Sequence, residues 1–543
     1  MERRDFLKLA SLSTVGTMVP EAVERASAQP APSRTKPNIV LIVSDQHRAG
    51  LTKRSGYPLD TSPTLDSLAA SGIGFERAYC ATPLCVPSRI TMLTGRWPEA
   101  HRVRMNLDPQ EAYFEKDLYQ VASEMGYRTG LAGKNHTYLK PERLDFWREY
   151  THAGSSHSAN ETKENIEYDR WLKGLGFNVS LKPTPFPVET QLPYRIVSDA
   201  MDFMDQAGNQ PFLLQVGFPE PHDPEQVPEP YWNMYPPDQL PDRCAGPEAL
   251  RHLGYRAQWL YGLQQDSFPT EQNWRRYRSN YLGMLRLLDD QLARLLGHMK
   301  QKDLLKNTVV IYLADHGDYL MDYGLYRKGV GLPDCLTRIP MVWSGWGVHP
   351  SSAASSAFVS MVDVMPTLCE VMGADIPHGV QGRSLWPLLG GKQYPREEFR
   401  SIYAGVGLGG LYYEASDHVP YSIAERRAQG DSPESSDELN KVTQSGNMKM
   451  VRMGDWKLVY DMMGYGQLYH LPSDPCELKN LFGSPSAAKE QAQLMEELLM
   501  WIIRAQDSLP TGPQNEKYRT KWSKQHNWYA PYRHGIAPEA WIP

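Results

Sequence analysis

Polar residues suited to ester cleavage recur at four places in this chain, each directly after a short apolar run. Asp45-Gln46 follows Asn38 to Ser44 (NIVLIVS), and Asp315-His316 follows Thr308 to Ala314 (TVVIYLA). Gly133-Lys134-Asn135-His136 follows Tyr127 to Ala132, and Pro221-His222-Asp223 comes shortly after Phe212 to Phe218. Asp45, Gln46 and Asp315 offer hard oxygen donors and His316 an imidazole nitrogen, a set for one divalent cation. Calcium is the expected ion because it prefers oxygen, and the histidine keeps manganese as the alternative. Lys134, His136, His222 and Lys328 supply positive charge and proton transfer around an anionic group. A metal beside cationic side chains suits a sulfate or phosphate ester. In Cys85-Val86-Pro87-Ser88-Arg89, Pro87 fits the first turn of a helix and puts Cys85 at its N-terminus. The orphan amides and dipole there favour an anion, so a thiolate of lowered pKa is one reading and a buried structural thiol the other.

The elements behind these residues follow from hydrophobic patterning. Short, nearly continuous apolar runs rich in β-branched residues are strands buried on both faces. Helical patterns lie between them, for example Thr64 to Ala70 followed by Gly72, and Tyr281 to Lys300. The alternation predicts an α/β fold, a mainly parallel sheet sandwiched by helices. Ligands bind beyond the carboxyl ends of such strands, where the polar pairs stand.

The string C-x-P-S-R at Cys85–Arg89, followed by Leu93-Thr94-Gly95-Arg96, resembles the signature of the type I sulfatases of the alkaline-phosphatase-like superfamily. The resemblance implies that Cys85 is oxidised to formylglycine by a formylglycine-generating enzyme. It implies metal ligation by Asp45, Gln46, Asp315 and His316 together with residue 85. It further implies that Arg89 holds the hydrated formylglycine, and that Lys134 and Lys328 offset charge on the sulfate. His222, with Lys328, protonates the leaving oxygen, and His136 takes the proton whose loss expels sulfate. Asn106 is expected to contact the sulfate, as in relatives with an Asp-Gln pair. Asp363 to Leu368 and Gly382-Arg383-Ser384-Leu385 resemble the segment that leaves the catalytic domain. Gly454 to Leu458 and Leu468-Tyr469 through Asn480-Leu481 resemble the C-terminal sheet region, a smaller α+β subdomain. Two departures stand out: many sulfatases have Asp-Asp where this chain has Asp45-Gln46, and Asp-Asn where it has Asp315-His316. The Gln/His variant is similar to choline sulfatases and phosphonate monoester hydrolases, and it makes the metal site less anionic.

The remainder of the sequence bounds these readings. The chain has 543 residues, 41% hydrophobic and 22% charged, which excludes disordered, collagen-like and coiled-coil classes. With 57 Lys+Arg against 63 Asp+Glu the net charge is −6, so nothing points to nucleic acid or an anionic membrane. Arg3-Arg4, an apolar run from Leu9 to Val19 and Ala26-Ser27-Ala28 predict a twin-arginine signal over 1–28 and a periplasmic or extracellular destination. That run is too short to span a bilayer, and no other stretch reads as a span. The expected division is a signal over 1–28, a catalytic domain over 36–400 and a C-terminal subdomain over 401–543, with Gln29 to Lys36 as a linker. Cys80, Cys244, Cys335, Cys369 and Cys476 are candidates for disulfides that spacing does not pair. The aromatic tail from Trp522 to Trp541 is expected to pack on the body of the protein. Residues 140–195, 223–275 and 405–447 lack a family pattern and are where selectivity would be built. The leading expectation is a sulfate-ester hydrolase, with sulfated carbohydrate or another organic sulfate as substrate. The alternatives are a phosphonate monoester or phosphodiester hydrolase on the same scaffold, and a non-catalytic sulfate-ester binding protein.

Overall fold

The four apolar runs lie side by side in one sheet, as their composition requires. In a computed structural model describing residues 36–155, 161–264, 270–329, 331–350, 356–408 and 447–506, eight strands form the central sheet. From one edge they are Ile73–Gly74, Met341–Gly345, Thr308–Ala314, Asn38–Asp45, Phe212–Pro221, Arg128–Gly133, Phe146–Thr151 and Gly154–Ser155. The five from Thr308–Ala314 to Phe146–Thr151 run parallel, and the three nearest the edges are antiparallel to their neighbours. All five carboxyl ends therefore open on one side. The predicted signal, the linker up to residue 35 and the Trp522–Trp541 tail lie outside the described residues.

Burial on both faces is visible within one strand. Ile39, Leu41 and Val43 join one apolar layer, while Val40 and Ile42 join the other. Each such side chain removed from water stabilises the fold by about 1.5–3 kcal/mol. Because both faces are apolar, hydrophobicity alone does not fix the register. Asn38 does so at the amino end: its amide oxygen accepts from Phe212 N (3.3 Å) and its Nδ2 donates to Thr308 Oγ1 (3.5 Å).

Helices cover both faces. Cys85–Thr94 and Val364–Met372 pack on one, and Leu192–Ala207 with Trp274–Gln301 on the other. The long helix begins seven residues before the predicted Tyr281, because Trp274 to Ser279 is arginine-rich and lacks a clean apolar stripe. A four-stranded antiparallel sheet, Ser401–Val406, Met448–Met453, Trp456–Asp461 and Gly466–His470, forms the C-terminal subdomain. The helix Ala488–Gln506 covers it. Trp97, Tyr403 and Trp501 join that sheet to the segment after the Cys85 helix, with ring centroids 5.3–6.1 Å apart. The Asp363 and Arg383 motifs meet as a buried ion pair (3.0 Å), so their part is structural.

Candidate active site

Cys85 opens its helix as expected, yet the helix end is already occupied. Leu84 is the N-cap and its side chain has no hydrogen-bond acceptor, so Asn106 Oδ1 accepts from Val86 N at 3.0 Å. Arg89, one turn on, is fully buried and reaches back across the sheet ends. Its Nε donates to Asp315 Oδ2 at 2.8 Å, its Nη2 lies 3.5 Å from Asp45 Oδ2, and its Nη1 donates to Lys134 O at 3.2 Å. One guanidinium thereby ties together residues from three strands.

Around it stands the candidate metal set. Ligand atoms of Asp45, Cys85, Asp315 and His316 all lie within 4.8 Å of one another. Cys85 Sγ is 3.2 Å from His316 Nε2 and 3.6 Å from Asp45 Oδ1. His316 Nδ1 is 2.8 Å from the Gly317 carbonyl, which accepts only, so the proton sits on Nδ1 and the Nε2 lone pair faces the carboxylates. That is the tautomer a metal ligand needs. Two buried carboxylates and an imidazole lone pair converging on one point fit a divalent cation. Gln46 sits beside this set at a positive φ of 68°. Its Nε2 donates to Asp318 Oδ2 (2.6 Å), and its Oε1 accepts from Lys328 Nζ (3.3 Å).

The proton-transfer residues flank the same point. Lys134 Nζ bonds the Asp45 carboxylate and lies 2.6 Å from His152 Nε2. Lys328 Nζ also donates to His222 Nε2 (3.1 Å), while His222 Nδ1 is held by Asp223 O at 2.9 Å. His136 has a positive φ of 51°, and its Nδ1 is buried without a hydrogen-bond partner. The structure thus gathers Asp45, Gln46, Cys85, Arg89, Lys134, Asp315, His316, His222 and Lys328 by direct contact. Asn106 joins through the helix end, and His136 lies within electrostatic reach of Lys134 and Asp45.

Ionisation follows from burial and neighbours. Burial by itself raises the Asp45 carboxyl, but the Lys134 and Arg89 charges override it and hold the group well below the usual carboxylate range. For Cys85 the balance is reversed: burial, reinforced by Asp45, pushes the thiol up to about 12 against the opposing lysines. The thiolate of lowered pKa is therefore not what this helix end produces. The amide of Val86 is taken by Asn106, and the nearest charge is a carboxylate. Burial also lowers His222, with His152 and Lys328 adding to the effect.

Two residues at the site were not read from the sequence. His152 follows the strand Phe146–Thr151, whose parallel pairing opens on the same side, and its ring stacks on His222 at 3.9 Å. That strand carries Arg148 and Glu149, so it lacked the continuous apolar run that marked the other four. Phe177 comes from the loop after Lys163–Leu175, and only its closeness in space to His152 and His222 reveals it.

Comparison with known proteins bears directly on this constellation. The sulfatase family model matches residues 37–374. The chain belongs to the sulfatase family. It is a sulfuric ester hydrolase with the alkaline-phosphatase-like fold. It is 26% identical to an arylsulfatase of Clostridium perfringens, over 86% of this chain and 94% of that one. It is also 26% identical to a choline-sulfatase of Rhizobium meliloti, over 92% and 93%. Among solved structures, a phosphonate monoester hydrolase of Agrobacterium radiobacter superposes with a TM-score of 0.70 at 22% identity, covering 89% of this chain and 99% of that one. The last likeness shows the shared fold.

Proposed function

We propose that this sulfatase hydrolyses an organic sulfate monoester, a sulfated carbohydrate being the expected class, with a formylglycine derived from Cys85 as nucleophile. The observation that carries the reading is the position of Cys85, whose Sγ lies within 4.8 Å of ligand atoms of Asp45, Asp315 and His316. The thiol is buried with Sγ 3.6 Å from the Asp45 carboxylate, surroundings that disfavour a thiolate nucleophile, so the arrangement favours chemistry in which residue 85 reacts through oxygen. Formylglycine supplies, as its hydrate, a hydroxyl to attack sulfur and a second one through which sulfate is expelled. Asp45, Gln46, Asp315 and His316 would hold a divalent cation, calcium or manganese, which supplies Lewis acidity at the sulfate oxygens.

The chain's own residues account for the rest. Arg89 neutralises the carboxylates and fixes their direction toward residue 85. Lys134 and Lys328 place ammonium groups on the sulfate, where negative charge must be offset during S–O cleavage. His222 accepts from Lys328 and is held neutral by burial, so the proton for the leaving oxygen is carried on Lys328 Nζ and aimed by the imidazole. His136 also stays neutral through burial and the Lys134 charge, which leaves it a base for the hydroxyl of residue 85. We assign the protein to the periplasm or the outside of the cell, with maturation by a formylglycine-generating enzyme and export by the twin-arginine machinery. The Cys244–Cys476 disulfide supports an oxidising destination.

A second reading, a phosphonate monoester or phosphodiester hydrolase, is favoured by one observation. Gln46 stands where many sulfatases carry a carboxylate, which makes the metal site one negative charge less anionic and less selective against a phosphoryl ester. Mass spectrometry of the peptide spanning Cys85, in protein from a host with the maturation enzyme, tests the nucleophile. Formylglycine is expected, and a wholly intact thiol in active protein would refute it. Cys85→Ala should retain the fold and lose turnover by more than about a thousandfold. Higher kcat/KM on phenyl phosphonate monoesters than on aryl sulfates would move the assignment to the second reading.

A further inference from the structure

Phe177 is 46% exposed, and its ring stands edge-on to two histidines of the site, His152 at 6.1 Å and His222 at 6.2 Å. Those two rings are themselves stacked at 3.9 Å, so three rings form one wall on the side where Lys328 donates to His222. The wall is fixed in place. Arg327 donates to the Phe177 carbonyl, its guanidinium lies 5.8 Å from the Phe177 ring, and its Nε is 3.0 Å from Asp223 Oδ2. An exposed aromatic held this way, beside proton-transfer groups, is the usual make-up of a binding surface for an apolar ring. The charges of the same rim are Arg327 and Lys328, while the Asp223 side chain is 1% exposed and engaged by Arg327. An aromatic face alone would also attract a quaternary ammonium, but Arg327 and Lys328 beside it repel a cation.

The geometry points to Phe177 as the specificity-determining residue for the leaving alcohol, a platform that accepts a ring-bearing alcohol, aryl or glycosyl, and disfavours a quaternary-ammonium one. The inference rests on the ester-hydrolase reading of the site and adds which alcohol it takes. Phe177 touches no reacting atom, so its effect belongs in KM and in product binding rather than in kcat. The ring's face, packed against the substrate's ring, contributes enough to change binding about tenfold.

The test uses the mature, metal-loaded enzyme with 4-methylumbelliferyl sulfate as substrate, and 4-methylumbelliferone, choline and inorganic sulfate as inhibitors. In the wild type, 4-methylumbelliferone should inhibit competitively and choline should not. In Phe177→Ala the KM and the 4-methylumbelliferone inhibition constant should both rise about tenfold, with kcat and the inorganic sulfate constant unchanged. Phe177→Trp should keep the wild-type values, which separates loss of the platform from loss of the fold. An unchanged 4-methylumbelliferone constant in Phe177→Ala would overturn the assignment. So would an equal rise in the sulfate constant, or inhibition by choline as strong as by the phenol. If the wild type cleaves phenyl phosphonate monoesters and no sulfate, the sulfatase reading fails separately. The Phe177 effect is then read on that ester, with phenol as the product inhibitor.

Discussion

Removing the Arg89 guanidinium would leave Asp45 and Asp315 facing one another with Lys134 as the remaining close cation on Asp45. Breaking a buried ion pair by deleting one partner costs about 3–5 kcal/mol, because the other charge stays desolvated. Arg89→Ala should therefore lower stability by about that amount in chelator. A divalent cation at the Asp45–Asp315 point would offset the lost charge, since anything that binds the folded state alone stabilises it by mass action. Adding calcium should then raise the melting temperature of Arg89→Ala more than that of the wild type. Equal shifts would count against these carboxylates as the metal donors. At this scale the sequence was legible where aspartates, lysines and histidines follow a continuous apolar run, and His152 was missed because its strand lacks one. It was not legible for Cys85, whose ionisation depends on burial and on Asp45, which only folding supplies. Phe177 carries no chemistry of its own and becomes meaningful only through the rings it meets.

Among the elements, the short helix Pro98–His101 shows how burial sets a pH response away from the site. His101 is buried, with Nε2 3.1 Å from Thr91 Oγ1 and Nδ1 accepting from Val103 N at 3.2 Å. Burial pushes its pKa down to about 3, against an ordinary value of 6.5. Below pH 6.5 the unfolded chain takes up a proton at this histidine while the folded chain does not. The stability tied to the neutral ring is thus complete above pH 6.5 and is lost as the pH falls toward 3. The slope from this residue is about 1.4 kcal/mol per pH unit. Urea unfolding between pH 6.5 and 4.5 should show His101→Gln with a shallower decline than the wild type. Parallel curves would mean that His101 is protonated in the folded state. Four strands of the central sheet, by contrast, were readable to within a few residues, because burial on both faces imposes a run that composition displays. Phe146–Thr151, one strand in from the sheet edge, mixes Arg148 and Glu149 into its pattern, so neither its place in the sheet nor the His152 after it was apparent.

At the level of the whole molecule, Cys244 and Cys476 close a loop of 232 residues, joining the insert after the His222 strand to the segment behind the C-terminal sheet. Sequence spacing did not pair these cysteines, since the partners meet only after the two regions have folded onto one another. Cys335 packs against the same apolar cluster and stays a thiol. Its titration is pushed far up by burial, so it is a poor agent of disulfide exchange. In the chain-entropy account, a bridge over so long a loop restricts the unfolded chain by about 5 kcal/mol, although measured values often fall near 2–4 kcal/mol. The bridge lies outside the contacts described for Asp45, Cys85 and Lys134, so its loss should act on stability and spare turnover. The double variant Cys244→Ser, Cys476→Ser should unfold at a lower urea concentration than the oxidised wild type, with kcat on an aryl sulfate unchanged. Reducing agent should lower the wild type to the level of the variant and leave the variant where it is. A large fall in kcat at temperatures where the variant remains folded would show instead that the C-terminal sheet and the insert hold the catalytic groups in place through this bridge.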